Sequence, residues 1–169
     1  MSLLGVLLTA CGSQAQKPDP AWEAQASPVQ IVRGERVPAV DDVLRWGGRI
    51  QGLQNLVSST RIEVLSYPLN GQGRPIIQGP ASGRFLLEVE GFLEPHEFPP
   101  GALVSVKGRY ARVVEGRIGE ASYRYPLLLA EHMAVWEALE RRGSVYAPGV
   151  RWSLGVGSGG SGVGVGIGF

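Results

Sequence analysis

Three observations make this a mainly β chain. Several short alternating segments each end on a glycine or proline turn, no stretch carries a long amphipathic helix, and 25 glycines and 12 prolines punctuate 169 residues. That mixture points away from a helical bundle and towards strands joined by tight turns. Five or six antiparallel strands of this kind close into a small Greek-key barrel of the OB type, with a β-sandwich as the alternative. The balance of 16 basic and 15 acidic residues gives a net charge of +1, which argues against a nucleic-acid partner. With Cys11 as the chain's single cysteine no internal disulfide forms, so the fold rests on packing.

The N-terminus gives an address. An apolar run from Leu3 to Leu8 meets the small residues Thr9 and Ala10 and then Cys11, the pattern cut by a lipoprotein signal peptidase ahead of a diacylglycerol-modified thiol. Residues 1–10 are then a signal peptide, and 11–28 a lipidated, mobile tether rich in Gln, Ala, Ser and Pro. The alternative is a buried cysteine in an ordinary N-terminal helix. Against it, the apolar run is too short to span a bilayer. Two or three acyl chains, at about 0.8 kcal/mol per buried methylene, anchor a protein without a transmembrane helix. Gly12 follows the cysteine where the Asp that tends to retain enteric lipoproteins at the inner membrane would stand, which favours the outer membrane. No Lys or Arg precedes the apolar run, so Met1 reads as a late start.

The barrel domain is expected over 29–142. Val29-Gln30-Ile31-Val32 reads as a short first strand closed by Val37-Pro38, and Asp41-Asp42 as a helical turn or a bend. In Arg45-Trp46-Gly47-Gly48-Arg49-Ile50 the diglycine suggests a bulge or sharp bend. Thr60 to Tyr67 alternates and is β-branched, and ends at Pro68 and the turn Asn70-Gly71-Gln72-Gly73. In the next strand, Gly83 to Val89, Phe85, Leu87 and Val89 share one face, and Arg84 and Glu88 the other. Leu93-Glu94-Pro95 and Pro99-Pro100-Gly101 make a loop. A strand from Ala102 to Val114 turns at Glu115-Gly116, passes Ile118, and is followed by one from Tyr123 through Met133 to Trp136. Glu137 to Arg142 reads as a last helical turn stopped by Gly143. Trp46, Tyr67, Phe85, Tyr123, Tyr125 and Trp136 are assigned to the core and the barrel rim.

Residues 143–169 form a Gly-rich tail. Folded about Gly159-Gly160, it brings Val156, Leu154, Trp152 and Val150 opposite Val163, Val165, Ile167 and Phe169, a hairpin apolar on one face. Its nine-residue arms are at the short end of what a tilted strand needs to cross a bilayer. Open edges cannot face lipid, so insertion requires a homo-oligomer that closes the sheet. A disordered or loosely docked tail is the alternative.

Arg45-Trp46-Gly47-Gly48, Asn55, Thr60 with Ile62-Glu63-Val64 and Tyr67-Pro68-Leu69, Gly83-Arg84-Phe85, Phe92-Leu93 with Pro95, Ile118-Gly119-Glu120 with Tyr123 and Tyr125-Pro126, and Trp136 recur in this order. Over roughly residues 29 to 136 the chain thus resembles the Slp outer-membrane lipoproteins, a family that includes starvation-inducible lipoproteins. The resemblance implies attachment to the outer membrane through Cys11 and brings no catalytic residues.

Chemistry-bearing residues are few. His96 lies in the proline-rich loop and His132 in the last strand, neither at metal-ligand spacing with another His or with Cys. Glu94 and Glu97 bracket His96, enough for an adventitious cation and short of a built metal site. His132 beside Glu131 reads as a hydrogen-bonded edge residue, with a general base as the alternative. Gly155 to Gly160 fits G-x-G-x-x-G, but no helix follows to receive a phosphate, so no cofactor is expected. Two functions remain. One is a non-enzymatic envelope module facing the periplasm, tied to starvation or stress, that binds a periplasmic protein or the wall. The other is a glycan-binding or hydrolytic module using the barrel mouth.

Overall fold

A computed structural model describes residues 17–136 and 153–155. Two short helices, α1 (Pro20–Glu23) and α2 (Pro28–Val32), precede five long strands. These are β1 (Val43–Asn55), β2 (Ser59–Ser66), β3 (Arg84–Glu90), β4 (Leu103–Ile118) and β5 (Ala121–Trp136), followed by β6 (Ser153–Gly155).

β1, β2 and β3 form an antiparallel meander, β4 returns to the far side of β1, and β5 pairs with β4. β5 also meets β3, through Leu86↔Leu127, Leu87↔Leu128 and Glu88↔Leu129. The five strands therefore close into a ring, 1-2-3-5-4-1, which is the expected OB-like Greek-key barrel with a parallel closing pair. β5 is long enough to do two jobs, closing the ring with its middle and pairing β6 through His132 to Ala134.

Strand alternation fills the barrel. Ile62 and Val64 of β2, Phe85, Leu87 and Val89 of β3 and Val104 and Val106 of β4 are buried, and Trp46 meets Phe85 edge to face at 5.1 Å between ring centres. The diglycine serves the packing of strands against one another. A Cβ on Gly48 would run into the Leu65 carbonyl oxygen, so only a bare backbone fits there. The β1 bulge lies further on, between Ile50 and Gly52.

Three expectations need correction. Val29–Val32 is helix, although its β-branched run favours a strand: Pro28 occupies the first turn, the Ser27 N–H donates to Gln30 Oε1 at 2.9 Å, and Ile31 is buried against the barrel. Second, ordered structure begins well inside the segment read as a mobile tether. Asp19 caps α1, its N–H reaches Leu69 O at 2.7 Å, and the Trp46 indole donates to Ala26 O at 2.9 Å. Third, β4 does not turn at Glu115-Gly116. It runs to Ile118, because the Tyr125 ring packs over Gly116 and holds the hairpin in register, and the turn falls at Gly119, with φ of 58°.

The helical turn expected over 137–142 and the hairpin about Gly159-Gly160 lie outside the described residues. Within the tail, Ser153–Gly155 pairs with β5.

Candidate functional site

In an OB barrel, ligands lie across β2 and β3 and the loops that frame them. Here that outer face carries two ion pairs, their four side chains each about a quarter exposed, and the exposed Glu90 at the end of β3. Arg61 and Glu88 sit opposite one another and pair at 2.7 Å, and Glu63 and Arg84 pair diagonally at 2.5 Å. The β4–β5 hairpin closes over one end. Tyr125 OH lies 3.1 Å from Arg117 O and 3.3 Å from Glu63, while Tyr123 OH accepts the Arg84 N–H at 3.1 Å. Burial, together with the Glu63 carboxylate beside it, pushes the Tyr125 hydroxyl up to about 12, so it is a neutral donor at any physiological pH. Arg61, Glu63, Arg84 and Glu88 thus neutralise one another and Glu90 adds one exposed negative charge at the edge, which makes the face a poor receiver for a polyanion.

The other candidates stay apart. His96 Nδ1 is 3.5 Å from Glu94, and His96 and Glu97 both belong to the exposed 3-10 turn Pro95–Glu97. Among the described residues no group of three His, Cys, Asp or Glu side chains converges to hold a metal ion. His132 is exposed and paired on both sides, to Lys107 of β4 and Gly155 of β6, so it is not the edge residue expected. Its neighbour Glu131 turns to Arg109 at 3.3 Å. Cys11, and most of the Gly155–Gly160 stretch, lie outside the described residues.

The two ends of the barrel differ. At one, Ala26 and α2 cover the opening, and a groove of about 430 Å³ runs between α1, α2 and the β2–β3 connection, lined by Trp22, Gln30 and Arg33 on one side and Pro68, Pro80 and Ser82 on the other. Trp22 was not foreseen, although Asp19-Pro20 and Ser27-Pro28 ahead of Gln30 are helix-start signals that would have placed it. At the other end, buried Thr60 Oγ1 takes the Leu93 N–H at 3.0 Å and lies 2.8 Å from Gly91 O. Asn55 Nδ2 holds Leu93 O at 3.1 Å. Beyond this clamp Val57 is fully exposed and Phe92 68 % exposed. No helix among the described residues is long and apolar enough to cross a membrane.

The chain matches the family model described as the outer membrane lipoprotein Slp family over residues 8–156, a span that includes Cys11. It is 32 % identical over 127 residues to an uncharacterized lipoprotein, YeaY, of Escherichia coli K12, covering 73 % of this chain and 65 % of that one. It is 33 % identical over 94 residues to an uncharacterized protein of Haemophilus influenzae, covering 55 % and 51 %. With the outer membrane protein Slp of Escherichia coli K12 it shares 27 % identity over 157 residues, 92 % and 81 %. The chain thus spans less than two thirds of the first two relatives.

Proposed function

This chain belongs to the Slp family of outer membrane lipoproteins, and from that premise we propose that it is a non-enzymatic interaction module of the cell envelope. In this reading Cys11 carries the lipid, the barrel faces the periplasm, and its partner is a periplasmic protein or the wall. The observation that carries it is the outer face of β2 and β3, where Arg61, Glu63, Arg84 and Glu88, on the ligand surface of this fold, are paired with one another. A protein built so acts through its rims and loops. The starvation or stress role implied by the resemblance belongs to the same proposal, as does a homo-oligomer closed through the tail.

Intact mass of the protein extracted from membranes tests the anchor. A diacylated Cys11 at the N-terminus, with outer-membrane fractionation lost in Cys11→Ala, is the expected result. An unmodified Cys11 preceded by residues 1–10 would sink it. Orientation is tested by protease added to intact and to permeabilised cells, where cleavage confined to the permeabilised sample is expected.

A further inference from the structure

The groove beside α1 and α2 belongs neither to the barrel interior nor to the ion-paired β2–β3 face. Its two walls are tied together by backbone: Asp19 N–H to Leu69 O at 2.7 Å, and Val29 N–H to Ser82 O at 3.0 Å. Rigid walls lower the ordering cost of binding. Its volume, about 430 Å³, falls within the range of small-ligand sites.

The lining sets the chemistry of the ligand. Trp22, Pro68 and Pro80 offer apolar surface. The Trp22 indole N–H is enclosed, so Trp22 gives the groove its ring and no donor. Gln30 gives its oxygen to the Ser27 N–H, which fixes the amide and leaves its NH2 group for another acceptor. Charge is nearly cancelled, since Arg33 lies 3.7 Å from Glu35 on the rim and the remaining ionised group is Glu23. A phosphate or an anionic headgroup would therefore find no surplus cation. The site suits a molecule with an apolar face and several oxygen acceptors.

We propose that this groove binds a short uncharged saccharide, one ring face against Trp22 and its hydroxyl or acetamido oxygens taking the Gln30 amide N–H donors. The inference is independent of lipidation at Cys11, and its readout does not involve the anchor.

The test is titration of the full-length protein, in mild detergent, with the trimer of N-acetylglucosamine, followed by calorimetry and tryptophan fluorescence. Saturable binding, weakened about tenfold by Trp22→Ala and unchanged by Trp136→Phe at the far end of β5, is the expected result. If Trp22→Ala fails to fold, Trp22→Phe keeps a smaller ring against the sugar, and a loss of about threefold is expected instead. No binding up to about 10 mM would overturn the proposal, as would binding indifferent to Trp22. A proline-rich decapeptide run in parallel separates the other occupant of such grooves. If it binds and the saccharide does not, the groove is a peptide site and the proposal is wrong.

Discussion

The two ends of the barrel are closed by different means. At the α end, a segment that sequence patterning assigns to a tether reaches in from outside. It supplies an acceptor to a fully buried aromatic residue, Ala26 O to Trp46, and buries Ala26, Pro28 and Ile31. At the other end the closure is local: the loop after β3 folds back and Thr60 and Asn55 pin it at Leu93. A distant lid can be lost as a unit, whereas a local clamp fails one hydrogen bond at a time. The α end should therefore respond steeply to truncation, and the clamp end in small steps to single substitutions.

The largest effect is expected at the point where the α end meets the core. Trp46→Ala removes the residue that packs against Phe85 and bonds Ala26, and should cost about 3 to 5 kcal/mol. A urea midpoint equal to that of the parent would refute the core assignment. Next, a chain starting at residue 29 keeps Trp46 but strands its indole N–H and loses Ala26 and Pro28. It should be about 3 kcal/mol less stable than one starting at residue 17. Equal stability would show that the lid is ornamental and that 29–142 is the self-sufficient unit.

At the clamp end, Thr60→Val keeps the shape and removes the hydroxyl from a fully buried site. About 2 kcal/mol should be lost, because the Gly91 carbonyl and the Leu93 N–H lose their partner, and hydrogen exchange should rise at Leu93 first. On the outer wall, Arg84→Gln should cost about 1 kcal/mol or less, since the pair is partly screened by solvent.

The smallest effect is confined to alkaline solution. The Tyr125 pKa is raised in the folded state, so the native protein holds that proton more tightly than the unfolded chain. Its contribution is fully present below pH 10 and is lost as pH climbs towards about 12. Tyr125→Phe should flatten this stretch of the stability profile and leave the profile near neutrality almost flat. A slope unchanged in the variant would assign the alkaline loss to another group.

Legibility followed the range of the forces involved. β3 was plain from its alternation, since Phe85, Leu87 and Val89 obey a period of two that the fold keeps. Arg84 and Glu88 were placed correctly on the outer side, but alternation says nothing of Glu63 and Arg61, the cross-strand partners that take away their freedom. The β-branched composition of Val29–Val32 favours a strand, while Pro28, Gln30 and the cover of the barrel decide it for helix. Asn55, Thr60 and Leu93, quoted for the family resemblance, prove to be parts of one clamp, so that portion of the shared pattern is structural in origin. The groove at Trp22 was hidden because its walls come from segments some forty to sixty residues apart, brought together only by the closed ring.

The closing pair also sets the order of assembly. Leu86 waits for Leu127, about forty residues later, and the two edges of the β1–β2–β3 meander stay open until the β4–β5 hairpin exists to fill both. That hairpin is expected to dock as one unit and to be the slow step. Until it arrives, a three-stranded sheet with a bare apolar face is exposed to other chains. In an outer membrane lipoprotein this interval is the period in which a chaperone would matter most.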